Sequence, residues 1–222
     1  PCACMAKYDA GTVFSSIDHQ GRYAYYNRPK SAKWHSETFA GSLLPLIDND
    51  SEVAIGIATE VLKEFPEKYK NKWLKMMKKK LGLIDNNSND EQLIIELLSW
   101  MHQNQADYTN TFCYLMNKYK FNNEIYNEKN FILWKKKWEK RIKIKNNSLE
   151  KSFKIMREVN PLVIPRNHFV EKALKHATEM NDLNKVHELL KVLKNPYDNI
   201  STTSDYQSTK LQEENYVTFC GT

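Results

Sequence analysis

The chain has 222 residues, 41% of them apolar, enough for one large domain or two small ones and too apolar for a disordered chain. Its formal charge is +6, with 33 Lys and Arg against 27 Asp and Glu, a mildly basic mixture that permits an acidic or nucleic-acid partner without requiring one. No apolar run approaches the roughly 18 residues of a membrane-spanning helix and no signal peptide is visible, so no membrane partner and a cytoplasmic location are expected.

Residues 1–30 lack helical period and are punctuated by Gly11, Gly21 and Pro29. They read as a loop-rich segment with one weak strand-like alternation, "RYAYY". From residue 31 the period becomes helical. Val53, Ala54, Ile57, Ala58, Val61, Leu62 and Phe65 share one face. Ser88 and Glu91 have capping-box spacing ahead of Leu93, Ile94, Leu97, Leu98 and Met101. The Asn-rich stretches 85–90 and 145–148 read as connections. Phe169, Val170, Ala173, Leu174, Ala177 and Met180 form a further stripe, with Pro165 near its first turn. Leu183, Val186, Leu189, Leu190 and Leu193 follow, and Pro196 stops that helix. The pattern predicts a mainly α protein of eight or nine helices in three parts. These are a loop region over 1–30, helices over 31–194 and an extended tail over 195–222.

Residues 63–80 and 129–145 are rich in lysine, and the second stretch carries Trp134 and Trp138 at i, i+4. Lysines on phosphates and tryptophans under bases would make a nucleic-acid surface. The helical period favours the alternative, a buried tryptophan stripe under a lysine-coated solvent face, so nucleic acid is not the expected partner. The four cysteines, at 2, 4, 113 and 220, are too few and too scattered for a disulfide scaffold. Six histidines without an i, i+4 pair and six glycines without phosphate-loop spacing leave no metal cluster and no nucleotide cradle in the sequence.

Three stretches together are specific: "TVFSSIDHQGRYAYYNRP" at 12–29, "ADYTNTF" at 106–112 and "VNPLVIPRNHFVEKAL" at 159–174, followed by "LKNPYD" and the terminal "YVTFCGT". In order and spacing they resemble the C-terminal half of the selenoprotein O (YdiU) family. The resemblance implies the C-lobe of a protein-kinase-like fold with a helical C-terminal extension. It also implies an activity, transfer of AMP from ATP to Ser, Thr or Tyr hydroxyls of other proteins with Mg²⁺ or Mn²⁺. Pro1 matches the proline of the family's "DYGP" motif. The N-lobe, the Gly-rich loop and the nucleotide- and metal-binding residues would then lie upstream, leaving no catalytic, cofactor or metal residue here. Residues 1–30 would be the activation segment, with Asp18, Gly21, Arg22 and Tyr23 as its candidate positions.

Departures from the family pattern gather near the start: Cys4 for Phe, Ala6 for an acidic residue, Arg28 in "NRP", and His35 after Trp34. Arg22 could face a nucleotide or substrate, or pin the segment through a carboxylate, and the second role is preferred. Asp107, Thr109 and Asn110 read as a helix start, and Arg166, Asn167 and His168 as a cap and anchor for the helix they open. Cys220 stands where selenoprotein members carry selenocysteine. The family's partner position in the activation segment corresponds to Phe14, which leaves Cys2 and Cys4 as substitutes or Cys220 as an unpaired relic. The expected partners are the missing N-terminal half or protein substrates, with association through exposed apolar surface. Two other readings remain, a non-catalytic helical interaction module and a basic nucleic-acid-binding helical domain.

Overall fold

The computed structural model describes residues 4–117, 124–144, 148–198 and 203–209. Ten α-helices order them: α1 Arg28–Ile47, α2 Ser51–Lys63, α3 Phe65–Lys80, α4 Asp90–Gln103, α5 Tyr108–Leu115, α6 Lys129–Ile142, α7 Leu149–Val159, α8 Asn167–Glu179, α9 Asn184–Leu193 and the single turn α10 Thr203–Tyr206. Short 3₁₀ turns occupy Tyr25–Asn27 and Glu124–Asn127. Among the described residues no strand forms beyond one isolated antiparallel bridge, Lys7 with Asp107, so the protein is mainly helical. No helix among them is long and apolar enough to cross a membrane.

Local chemistry fixes most helix starts. Asp50 opens α2 by accepting from the backbone N–H groups of Glu52 and Val53, at 2.9 and 3.4 Å. Glu128 does the same for α6 at Asn130 and Phe131, and its Oε2 also accepts from the Trp100 indole at 2.9 Å. Ser148 caps α7 through Lys151 N–H.

The capping box expected at Ser88 and Glu91 does not form. The N-cap of α4 is Asn89, with no side-chain bond, and Glu91 pairs with Lys70 at 2.9 Å. Asp90 decides the start instead. It is buried between Arg141, whose Nε reaches Oδ1 at 2.6 Å, and Lys78, at 3.1 Å. Burial pushes the Asp90 carboxyl up, but hydrogen bonds and charges from Arg141 and Lys78 outweigh it and hold the group below the usual carboxylate range. A long-range ion cluster has overridden a local pattern.

Helix α3 ends in a Schellman arrangement, with Gly82 N–H on Lys79 O at 3.0 Å and Leu83 N–H on Lys78 O at 2.9 Å. Gly82 has φ +63°, and a Cβ there would lie 2.8 Å from both the backbone oxygen and the Cβ of Ser152 in α7. Glycine is therefore required both by the turn and by the approach of α7.

The core lies between α3, α4, α5, α6 and α7. Leu93, Ile94, Leu97 and Met101 of α4 meet Phe131, Trp134 and Trp138 of α6, closed by Met77, Leu81, Phe112 and Met156. The Trp134 and Trp138 rings stack 6.2 Å apart. Their indole N–H groups donate to Leu93 O and Leu81 O, both at 2.8 Å. The tryptophan stripe is thus core, as its period indicates, and truncating either ring would cost about 3–5 kcal/mol.

The α1–α2 hairpin stands apart from this core. The apolar stripe of α2 forms a helix as read, yet Ala54 is its one buried residue and Ser31 is the one in α1. "RYAYY" is not strand-like. Gly21, at φ +66°, turns the chain, and bonds from Ala24 N–H to Gly21 O and from Asn27 N–H to Ala24 O wind it into the 3₁₀ turn ahead of α1. The segment read as an extended tail includes α10 and the buried Gln207.

Candidate functional site

The candidate residues fall into two groups. The first is the loop of Asp18 to Tyr23. Both Asp18 carboxylate oxygens accept backbone bonds, from Arg22 N–H at 2.9 Å and Tyr23 N–H at 2.8 Å, and Gly21 supplies the left-handed turn between them. Ser31 Oγ donates to Arg22 O at 2.7 Å and Asn27 Nδ2 to Gly21 O at 2.7 Å, which binds the loop to the start of α1. The Arg22 guanidinium lies 4.1 Å from the centre of the Trp34 ring, an aromatic face where a carboxylate was expected. Tyr23, half exposed, stacks on His35 at 6.2 Å. Cys4 is half-buried, and its backbone N–H donates to Asn167 Oδ1 at 3.3 Å.

The second group is a buried polar knot. Asp107 caps α5 by accepting Asn110 N–H at 2.8 Å. Arg166 stands at the N-cap of α8, but its side chain makes no cap bond there. It turns inward, with Nη1 on Asp107 Oδ2 at 2.6 Å, Nη2 on Asp107 Oδ1 at 3.2 Å and on Asn110 Oδ1 at 2.9 Å, and Nε on Tyr206 O at 3.3 Å. Asn110 Nδ2 donates to Gln207 O at 2.9 Å, and Gln207 Nε2 to Leu162 O at 3.1 Å. Arg166 is 2% exposed, so this two-pronged pair sits in a low-dielectric setting where an unpaired member would be expensive. The N-terminal segment joins the knot from the other side. Tyr8 N–H donates to Ala106 O and Tyr108 N–H to Ala6 O, both at 2.8 Å. Tyr8 then stacks on Tyr108 at 5.7 Å. Thr109 is buried beside them.

The structure thus brings Asp107, Asn110 and Arg166 together and leaves Asp18, Gly21, Arg22 and Tyr23 as a separate surface loop. His168 lies against Phe169, with Nε2 buried and without a hydrogen-bond partner among the described residues. Burial first, and the Arg166 charge second, lower its pKa and favour the neutral ring. Cys2 and Cys220 lie outside the described residues.

Sequence reasoning did not single out Lys80 and Asn160. Lys80 Nζ donates to Asn160 Oδ1 at 3.0 Å over the rings of Phe112 and Tyr108, 4.6 and 5.3 Å from their centres. Burial brings its pKa down to about 8. Lys80 hides in a run of three lysines, where only its position on the inner helix face could have marked it. Gln207 was hidden by the polar composition around it. Cys113, fully buried, has its thiol pushed up to about 12, mainly by burial.

Every polar atom of the Arg166 side chain is spent inside the knot, so its chemistry is that of a scaffold. Among the described residues no three His, Cys, Asp or Glu side chains gather where they could hold an ion.

Comparison with known proteins places the chain. The family model described as "Protein adenylyltransferase SelO" matches residues 1–194, and the chain belongs to that family. It is similar to proteins named "Protein nucleotidyltransferase YdiU". Identity is 49% over 225 residues with the one from Pelagibacter ubique (strain HTCC1062), 44% over 223 residues with that of Alcanivorax borkumensis, and 44% over 226 residues with that of Clostridium perfringens. Each match covers 100% of this chain but 46%, 46% and 45% of the respective relative, so the chain spans about half the length of the curated relatives it matches.

Proposed function

We propose that this chain is the C-terminal, helical part of a protein adenylyltransferase, a kinase-like C-lobe with its extension, and that it transfers nothing by itself. The observation that carries this reading is the family match over residues 1–194 combined with coverage of under half of each relative. In the complete protein a substrate Ser, Thr or Tyr oxygen attacks the α-phosphorus of ATP. The bond from that phosphorus to the bridging oxygen breaks, pyrophosphate leaves, and the hydroxyl proton passes to a base or to water. The nucleotide and a Mg²⁺ or Mn²⁺ ion would be held by the part of the relatives' length that this chain does not span. This chain would supply the activation-segment-like loop at Asp18–Tyr23 and the buried knot that holds α5, α8 and residues 6–8 together.

The other two readings have less support. The Trp134 and Trp138 rings are buried, which removes the stacking groups a nucleic-acid groove would use. The interaction-module reading, a remnant whose exposed face binds another protein, is less favoured because the relatives are named for nucleotidyl transfer.

Two measurements test the proposal. Calorimetry of the isolated chain with ATP and Mn²⁺ should show no saturable heat. A chimera in which this chain replaces the matching part of the Pelagibacter ubique relative should label proteins with AMP from ATP. Micromolar, metal-dependent ATP binding by the chain alone would overturn its assignment as the dependent part. A folded chimera without AMP transfer would overturn the activity.

A further inference from the structure

The α1–α2 hairpin carries more apolar surface than its own contacts cover. In α1, Phe39 and Leu46 are 65% and 83% exposed, and in α2, Val53, Ile57 and Val61 are 47%, 47% and 64% exposed. These are not scattered singles, because each set repeats at helical spacing and makes a ridge. At 100° per residue, the apolar arc of α2 runs from Val53 through Ala54 to Ile55, about 200° around the helix. Contact with α1 and α3 buries only Ala54, in the middle of that arc; Val53, Ile57 and Val61 stand open on one flank, and on the other Ile55 stays half exposed beside Ala40 and Leu44 in the groove between the two helices. In α1 the residues that line the groove against α2, Ala40 and Leu44, lie about 100–160° from the Phe39–Leu46 ridge. The hairpin is therefore apolar on two sides, as a helix pair is when embedded in a larger body.

Glycines add a second observation. Gly41 and Gly56 sit in the middle of α1 and α2, where glycine weakens a helix. A Cβ at either would meet nothing within 4 Å. No described residue uses the space these glycines leave, although such space is what lets another backbone approach closely.

We propose that the α1–α2 hairpin is the seat of the part of the relatives' length that this chain does not span, which encloses it from both sides. This inference rests on the functional reading above and gives it a surface. The occupant follows from three features. More than half of each relative lies outside the match, which is ample to enclose a helix pair. The hairpin directly follows the Asp18–Tyr23 loop, which should border the nucleotide in that reading. A second copy of this chain would meet the hairpin through one self-complementary patch and leave the opposite flank bare.

The test uses cysteine accessibility in the isolated chain and in the chimera described above. Leu46→Cys and Ile55→Cys report the two flanks, and Glu60→Cys, on the polar arc, is the control. Both flank thiols should be alkylated freely in the isolated chain and about tenfold or more slowly in the chimera, with the control unchanged. Equal rates in the two proteins overturn the proposal. Protection of one flank in the isolated chain that disappears on dilution points to a second copy and also overturns it. AMP transfer, measured on the same samples, separates the two ideas. Protected flanks without transfer leave the surface standing and remove the activity, whereas transfer with unprotected flanks does the reverse.

Discussion

Arg166 grips both carboxylate oxygens of Asp107, at 2.6 and 3.2 Å, across 59 residues of sequence. That one pair holds the start of α5 against the start of α8, and the same guanidinium reaches Tyr206 O at the end of α10. Arg166→Met should therefore destabilise the chain by about 3–5 kcal/mol, because the buried Asp107 carboxylate loses its guanidinium partner. Arg166→Lys should recover only part of this, since an ammonium cannot bond both oxygens and Asn110 together. Urea unfolding reads both, and a loss under about 1 kcal/mol for Arg166→Met would remove the knot from the account of stability.

Gly82 and Gly41 should respond to alanine with opposite signs. At Gly82 the left-handed backbone and the Ser152 oxygen 2.8 Å from the new Cβ should cost about 2 kcal/mol or more. At Gly41, with nothing nearby, Gly41→Ala should stabilise the isolated chain by about 0.5–1 kcal/mol. Thermal melts of the two variants provide the comparison, and equal shifts would mean that the α3–α7 approach is not tight.

Lys80 should give the chain a pH signature. Its folded pKa, about 8, lies below the ordinary lysine value of 10.5. Between these two values the unfolded chain holds one more proton than the folded one, so this group's contribution to stability rises with pH. Below pH 8 both states are protonated and the cost of burying the charge is felt in full. The difference in stability between wild type and Lys80→Met should therefore shift in favour of wild type from pH 8 to 10. Chemical denaturation across that range measures it, and a flat difference would place the ammonium in contact with water.

The thiols should react in a fixed order. Cys220 should be alkylated first, through its near-terminal position beside Gly221, and Cys113 last, because burial keeps its thiol neutral. Mass mapping after a brief pulse gives the order. Under mild oxidation Cys220 should join Cys2 or Cys4, or else link two chains. If Cys220→Ser leaves the oxidised products unchanged, the terminal thiol has no redox partner here.

Much of the helical body was legible because period is a local property. The Leu93–Met101 stripe and the Trp134–Trp138 pair announce both a helix and its inner face. The α2 stripe announces the helix equally well, but period records only that a face is apolar and not what covers it. Ser88 and Glu91 have the spacing of a capping box, yet Asp90 sets the start of α4 through Arg141, 51 residues away. The knot lay in plain view as separate stretches, "ADYTNTF" and "IPRNHF". Their meeting, and the arrival of Gln207 between them, is a tertiary event that spacing along the chain does not encode.

Asp107 carries a further consequence. Its neighbours Ala106 and Tyr108 hold the first described residues of the chain by backbone bonds, while its side chain holds the guanidinium on which residues 206 and 207 rest. Residues 6–8 and 206–207 are thereby clasped around a single residue. Damage travels across it: a nick that strips away the residues after Pro196 would take Tyr206 O and Gln207 from the knot and slacken its hold on residues 6–8.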